Sequence, residues 1–134
     1  MAAPTRGEVE AALANAITQF EKEQMGRGPV ETRAYVIEDM ILVRLRGVLT
    51  PAEIQLAQNS DGHALIKQLR RQLLEGSRPL LEEIVRQTTG GGVVSLHTDI
   101  SVRTSERVVI FTLTENLEER FGWGKREKVR KTQL

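Results

Sequence analysis

Cysteine is missing from this 134-residue chain. That excludes a disulfide framework, thiol catalysis and cysteine metal sites. Aromatic residues make up only 4% of it, too few for a platform that stacks bases. No apolar run exceeds four residues, as in MILV (40–43) and VVIF (108–111), whereas a transmembrane helix needs roughly 18. The opening MAAPTRGEVE has no apolar signal core. The expectation is a cytoplasmic protein with no membrane insertion. No cofactor motif is present either. The glycines at 90–92 precede a strand rather than the Lys-Ser/Thr and helix of a phosphate loop. Ser77, Ser95, Ser101 and Ser105 lie in no Gly-x-Ser-x-Gly elbow. His63 and His97 show no metal-ligand spacing, so neither a metal nor a catalytic residue is assigned.

What is present makes a globule. Hydrophobic residues are 40% and charged residues 28%, as in ordinary soluble domains. A chain of this size buries about two thirds of its unfolded surface. The net charge is +1, but residues 125–134 carry +4 and leave −3 for the rest. The division expected is one domain over residues 1–118 and a flexible basic tail over 119–134. Such a tail suits a membrane surface, an acidic partner or nucleic acid. The scarcity of aromatics and the acidic body argue against nucleic acid.

Thr5 with Glu8 forms a capping box for a first helix over about 6–25. Val9, Leu13, Ala16, Ile17 and Phe20 make its apolar stripe, while Glu10, Glu21, Lys22 and Glu23 are expected on its surface. GRGP (26–29) stops it. A hairpin follows, with strands at 32–37 and 40–46 joined at Glu38-Asp39. Thr50-Pro51-Ala52-Glu53 signals a short helix that stops near Asn59. A longer helix starts at Ser60 or Asp61. Its expected buried stripe is Leu65, Leu69, Leu73, Leu80, Ile84 and Thr88, with a kink or restart at Gly76-Ser77-Arg78-Pro79. After Gly90-Gly91-Gly92 comes a second hairpin, VVSLHTDISVRTSERVVIFTLT (93–114). There Val94, Leu96, Thr98, Ile100 and Val102 alternate with Ser95, His97, Asp99 and Ser101, the mark of a half-buried strand.

The order α-ββ-αα-ββ predicts an α+β two-layer sandwich. A four-stranded antiparallel sheet built from two hairpins carries helices on one face and leaves the other open. Sheet edges and an open face call for protection, so a homodimer is expected. His97 and Asp99, two residues apart on that open face, are candidates for binding a ligand or partner. Arg44, Arg46 and Tyr35 are placed with them as a polar surface of mixed sign suited to a small anion or acidic peptide. Arg78, beside the helix break, is a candidate anion contact. Arg70 and Arg71 are read as members of helical ion pairs.

FEKEQMGRGP (20–29), DMILVRLRGVLTPAE (39–53), LLEGSRPLLEEIV (73–85), VSLHTDIS (94–101) and ERVVIFTL (106–113) together resemble the bacterial MpsC-like family, over roughly residues 7–117. His97, Thr98 and Asp99 match its His-Thr-Asp segment, and Arg78 and Pro79 its Arg-Pro. The resemblance implies a component associated with a sodium-translocating, membrane-potential-generating system, whose membrane parts resemble inorganic-carbon uptake machinery. It supplies no catalytic residues. The leading expectation is therefore an accessory or regulatory protein that contacts a membrane transport protein, reaching the inner membrane face through that partner. A small-anion binder or enzyme using the sheet face is the alternative. Nucleic-acid binding through the tail comes third.

Overall fold

The computed structural model describes residues 3–124. Helix α1 (Arg6–Gln24) opens on the Thr5–Glu8 capping box, which is formed in both directions. Val9, Leu13, Ile17 and Phe20 turn inward as their spacing requires. Strands β1 (Glu31–Ile37) and β2 (Met40–Arg46) form the first hairpin. Helix α2 (Pro51–Leu56) has its own complete capping box, Thr50 with Glu53. Helix α3 (Ser60–Gly76) is capped by Asn59, whose side chain accepts from Gly62 N at 2.8 Å. Gly62 is required there by close approach, since a Cβ would lie 1.8 Å from the Leu56 carbonyl oxygen. The expected restart occurs at Ser77, which closes α3 and opens α4 (Arg78–Thr89). Pro79 falls in the first turn of α4, where no intrahelical N–H is needed. Gly90 ends α4 in the left-handed region, φ 78°.

Strands β3 (Val93–Ser101) and β4 (Glu106–Leu113) form the second hairpin. The sheet is fully antiparallel in the order β1-β2-β4-β3. The second strand of each hairpin lies in the centre and the first lies at an edge. Helices α1 and α4 pack together, with α1 over β1 and α4 reaching β3. Ile41, Val43, Leu45, Val109, Phe111 and Leu113 fill the covered face. The opposite face is open, as expected for this α+β sandwich. The β1 edge is protected by α1, whose Glu10 carboxylate accepts the Val36 N–H at 2.8 Å. The first-hairpin turn holds Glu38 at φ 57°. A last short helix, α5 (Leu117–Phe121), is not anticipated by the sequence reading. Its Leu117 is fully buried, and Trp123 beyond it stacks on Phe121 and donates to the Pro4 carbonyl at 2.9 Å.

Three expectations need correction. The inward face of α3 and α4 is Ile66, Arg70, Leu74, Leu81, Val85 and Thr89, one residue on from the stripe expected. Leu65, Leu69, Leu73 and Leu80 are 54%, 49%, 39% and 49% exposed. Both sets share four-residue spacing, and hydropathy alone favours the one without arginine. Second, Glu21 is buried, because the covered face of the sheet presents it with Arg107. Third, Val94 is 60% exposed. A register shift between Val93 and Ser95 turns Val93 to the core side instead.

Candidate functional site

Register determines what the open sheet face brings together. One cross-strand row runs Tyr35–Leu42–Ile110–His97, and the next runs Arg33–Arg44–Val108–Asp99. Tyr35 and His97 therefore stand at opposite edges, about 14 Å apart at ~4.8 Å per strand. Asp99 is two strands from Arg44. The middle of this face is apolar, with half-buried Met40, Leu42, Val108 and Ile110. Arg44 and Arg46 both turn to Glu106, at 2.6 and 3.6 Å. Tyr35, Arg44, Arg46, His97 and Asp99 share the face, but it does not gather them into one cluster.

His97 and Asp99 belong instead to a trough along the β3 edge. There α3 lies beside the strand, and three adjoining recesses separate them. His63, Lys67 and Arg71 follow one another along one flank of α3 at four-residue spacing. They line the trough with Thr98, Asp99, His97 and Arg103. Arg78 lines the same end of it as His97 and pairs with Glu82 at 3.0 Å. His63 donates from Nε2 to the Ala57 carbonyl at 2.8 Å, which ties α3 to the loop before it. The Asp99 carboxylate accepts the Ile100 N–H at 2.8 Å and lies 3.7 Å from Lys67 Nζ.

Beneath the trough lies a buried charge network that sequence reasoning missed. Arg70 donates from Nε and Nη2 to the two Glu53 carboxylate oxygens at 2.9 and 2.6 Å, and from Nη2 to the Val48 carbonyl at 2.8 Å. Arg107 Nη1 is 3.4 Å from Glu21 Oε1, and its Nε donates to Thr98 Oγ1 at 3.3 Å. The Thr98 hydroxyl donates onward to the Val108 carbonyl at 2.9 Å. Burial pushes the Glu21 carboxyl above its usual range against the attraction of Arg107 and Arg70. Burial likewise draws the Arg107 guanidinium below its ordinary value, against the pull of Glu21. For Glu53, burial alone would raise the pKa, but the hydrogen bonds from Arg70 and Thr50 outweigh it and hold the carboxyl low. One signal for this network was visible. Arg70 falls four residues after Ile66 and four before Leu74, inside an otherwise apolar row. Arg107 gave none, since both faces of β4 read as apolar.

The opposite flank of α3 is the leucine row Leu65, Leu69 and Leu73, with exposed Ile54 and Leu56 on α2 and Leu80 on α4. No helix among the described residues is long and apolar enough to cross a membrane. The basic run from Lys125 to Lys131 lies outside the described residues, as does most of the expected tail.

The fold and its surfaces thus define a small two-layer α+β protein that presents a leucine row, an open sheet face and a basic trough. The chain belongs to the family described as Na+-translocating membrane potential-generating system (MpsC), whose model matches residues 5–115. It is 42% identical over 115 residues to the uncharacterised protein YbcI of Bacillus subtilis (strain 168), covering 86% of this chain and 93% of that one. It is 24% identical over 104 residues to the uncharacterised protein YrhF of the same organism, covering 77% of this chain and 85% of that one. No solved structure matches the chain.

Proposed function

We propose that this protein is a cytoplasmic accessory or regulatory component of the membrane-potential system its family is named for, and that it works by protein–protein contact. The observation that carries the reading is the leucine row of α3. Leu65, Leu69 and Leu73 are 39–54% exposed, although an amphipathic helix normally turns such a row inward. Contiguous exposed apolar side chains mark interaction surfaces. The row is about 12 Å long at 1.5 Å per residue. Its four-residue ridge fits a partner helix carrying a similar ridge. The occupant is an apolar helix on a membrane component of that system, which brings this protein to the inner membrane face. The homodimer of this reading uses the open sheet face through Leu42 and Ile110.

The test is recovery of the full-length protein from gently solubilised membranes of its host, compared with Leu69→Glu. A membrane transport protein captured by the natural sequence and lost with Leu69→Glu supports the proposal. Capture of the chain's own copies alone would assign the row to self-association and sink it. Equal capture by both forms would show that the row is not the contact. Light scattering on Leu42→Glu tests the dimer separately: a natural protein that is already monomeric refutes it.

A further inference from the structure

We propose that the recess between α3 and β3 binds a small oxyanion of the phosphate, sulfate or bicarbonate class. Arg70 lines this recess and is only 3% exposed, yet its Nη1 has no hydrogen-bond partner among the described residues. Its other two nitrogens are engaged by Glu53 and the Val48 carbonyl. A buried cationic donor left unmatched is costly, and an anion in the recess beside it would answer its charge, Nη1 itself being closed off from solvent. Lys67, Arg71 and Arg107 line the same cavity, whose volume is about 80 Å³. Arg71 has no ion-pair partner among the described residues. Among the described residues Lys67 pairs only with Asp99, at 3.7 Å.

The lining also specifies the ligand. Its polar groups are almost all donors, because the Thr98 hydroxyl donates away to the Val108 carbonyl and receives Arg107. Asp99, the one carboxylate in the lining, already accepts the Ile100 N–H. Glu53 and Glu21 engage Arg70 and Arg107 without lining the recess. A small, negatively charged ligand rich in acceptor oxygens matches the cationic donors Lys67, Arg71 and Arg107 of this lining, with Asp99 engaged by Ile100 N–H and Lys67. The size limit follows from the cavity: at about 10–15 Å³ per water-sized probe, it holds only a handful of heavy atoms. This site is distinct from the leucine row, so its failure would leave the accessory reading standing.

The experiment is thermal unfolding of the full-length protein titrated with sodium phosphate, sulfate or bicarbonate, with ionic strength held constant by sodium chloride. At least one oxyanion is expected to raise Tm in a saturable way, since a ligand of the folded state stabilises it. Arg71→Ala and Lys67→Ala change exposed side chains and are expected to keep the ligand-free Tm. Each should weaken apparent affinity about tenfold or more, as loss of a charge-assisted hydrogen bond does. Arg44→Ala, on the open sheet face, should leave affinity unchanged. Amide resonances of Thr98, Asp99 and Ile100 should shift with the same saturation. No stabilisation beyond chloride by any of the three salts would overturn the proposal. So would a stabilisation that survives both Arg71→Ala and Lys67→Ala, or one that Arg44→Ala abolishes.

Discussion

Glu21 and Arg107 form a buried pair whose double replacement should cost far less than either single one. Their side chains are 2% and 3% exposed, so both charges have left water. Their closest approach is 3.4 Å, longer than the ~2.7–2.9 Å of a strong charge-assisted bond. Attraction at that distance offsets desolvation only in part, and both groups accordingly shift toward their neutral forms. Glu21→Met leaves a buried guanidinium without its counter-charge, and a loss of about 3–5 kcal/mol is expected. Arg107→Met leaves the Glu21 carboxylate equally exposed to the cost of burial, with a similar loss near neutral pH. Because the folded-state pKa of Glu21 is raised, its ionisation opposes folding. Its contribution to stability is full below its unfolded value and is lost as pH rises through the folded one. The Arg107→Met loss should therefore shrink as pH falls through that raised value. Glu21→Met with Arg107→Met removes both charges, and the outcome expected lies between neutral and about 4 kcal/mol stabilising. Urea titration reads this as a change in midpoint at constant slope. If the double variant loses as much as the two singles added together, the pair is not coupled and the reasoning fails.

Glu53→Gln should flatten the acid limb of the stability curve. The carboxyl is held low by Arg70 and Thr50, so the stability it confers is present above its unfolded value and lost as pH falls through the folded one; chemical denaturation between pH 3 and 7, at about unit steps, checks the difference. Thr50→Ala removes the acceptor for the Glu53 N–H at 3.2 Å, and a loss of about 1 kcal/mol is expected by the same method. At the bulge, Val94→Thr should change stability by no more than about 0.5 kcal/mol because the side chain faces solvent. Val93→Thr places a hydroxyl against the core and should lose more; equal losses would mean the register shift is absent.

The proposed anion and partner surfaces lie on different sides of the same helix. Its inward row holds Arg70 against Glu53, one flank carries the leucines, and the other carries His63, Lys67 and Arg71. A substitution on either flank leaves the inward row untouched. That separation is what allows Leu69→Glu and Arg71→Ala to test contact and binding without unfolding the chain.

Much of the local structure was determined by the sequence itself. Thr5 with Glu8, Thr50 with Glu53, Pro51, Gly26 and Gly90 mark helix ends, because capping and φ preference act within about four residues of the chain. Alternation likewise placed His97, Asp99, Arg44, Arg46 and Tyr35 on one sheet face, since successive strand residues point to opposite sides. Tertiary structure alone decided how far apart they lie, because the two hairpins join through β2 and β4 and leave Tyr35 and His97 at opposite edges. It also decided the rotation of α3. Two interleaved rows share one period, and the choice went to the row whose arginine finds Glu53, seventeen positions earlier, at 2.6 Å. The pairing of Glu21 with Arg107, 86 positions apart, was likewise invisible to any local pattern. Charge neutralisation between distant segments leaves no periodicity to read, and it exists only once the sheet and helices have closed around it.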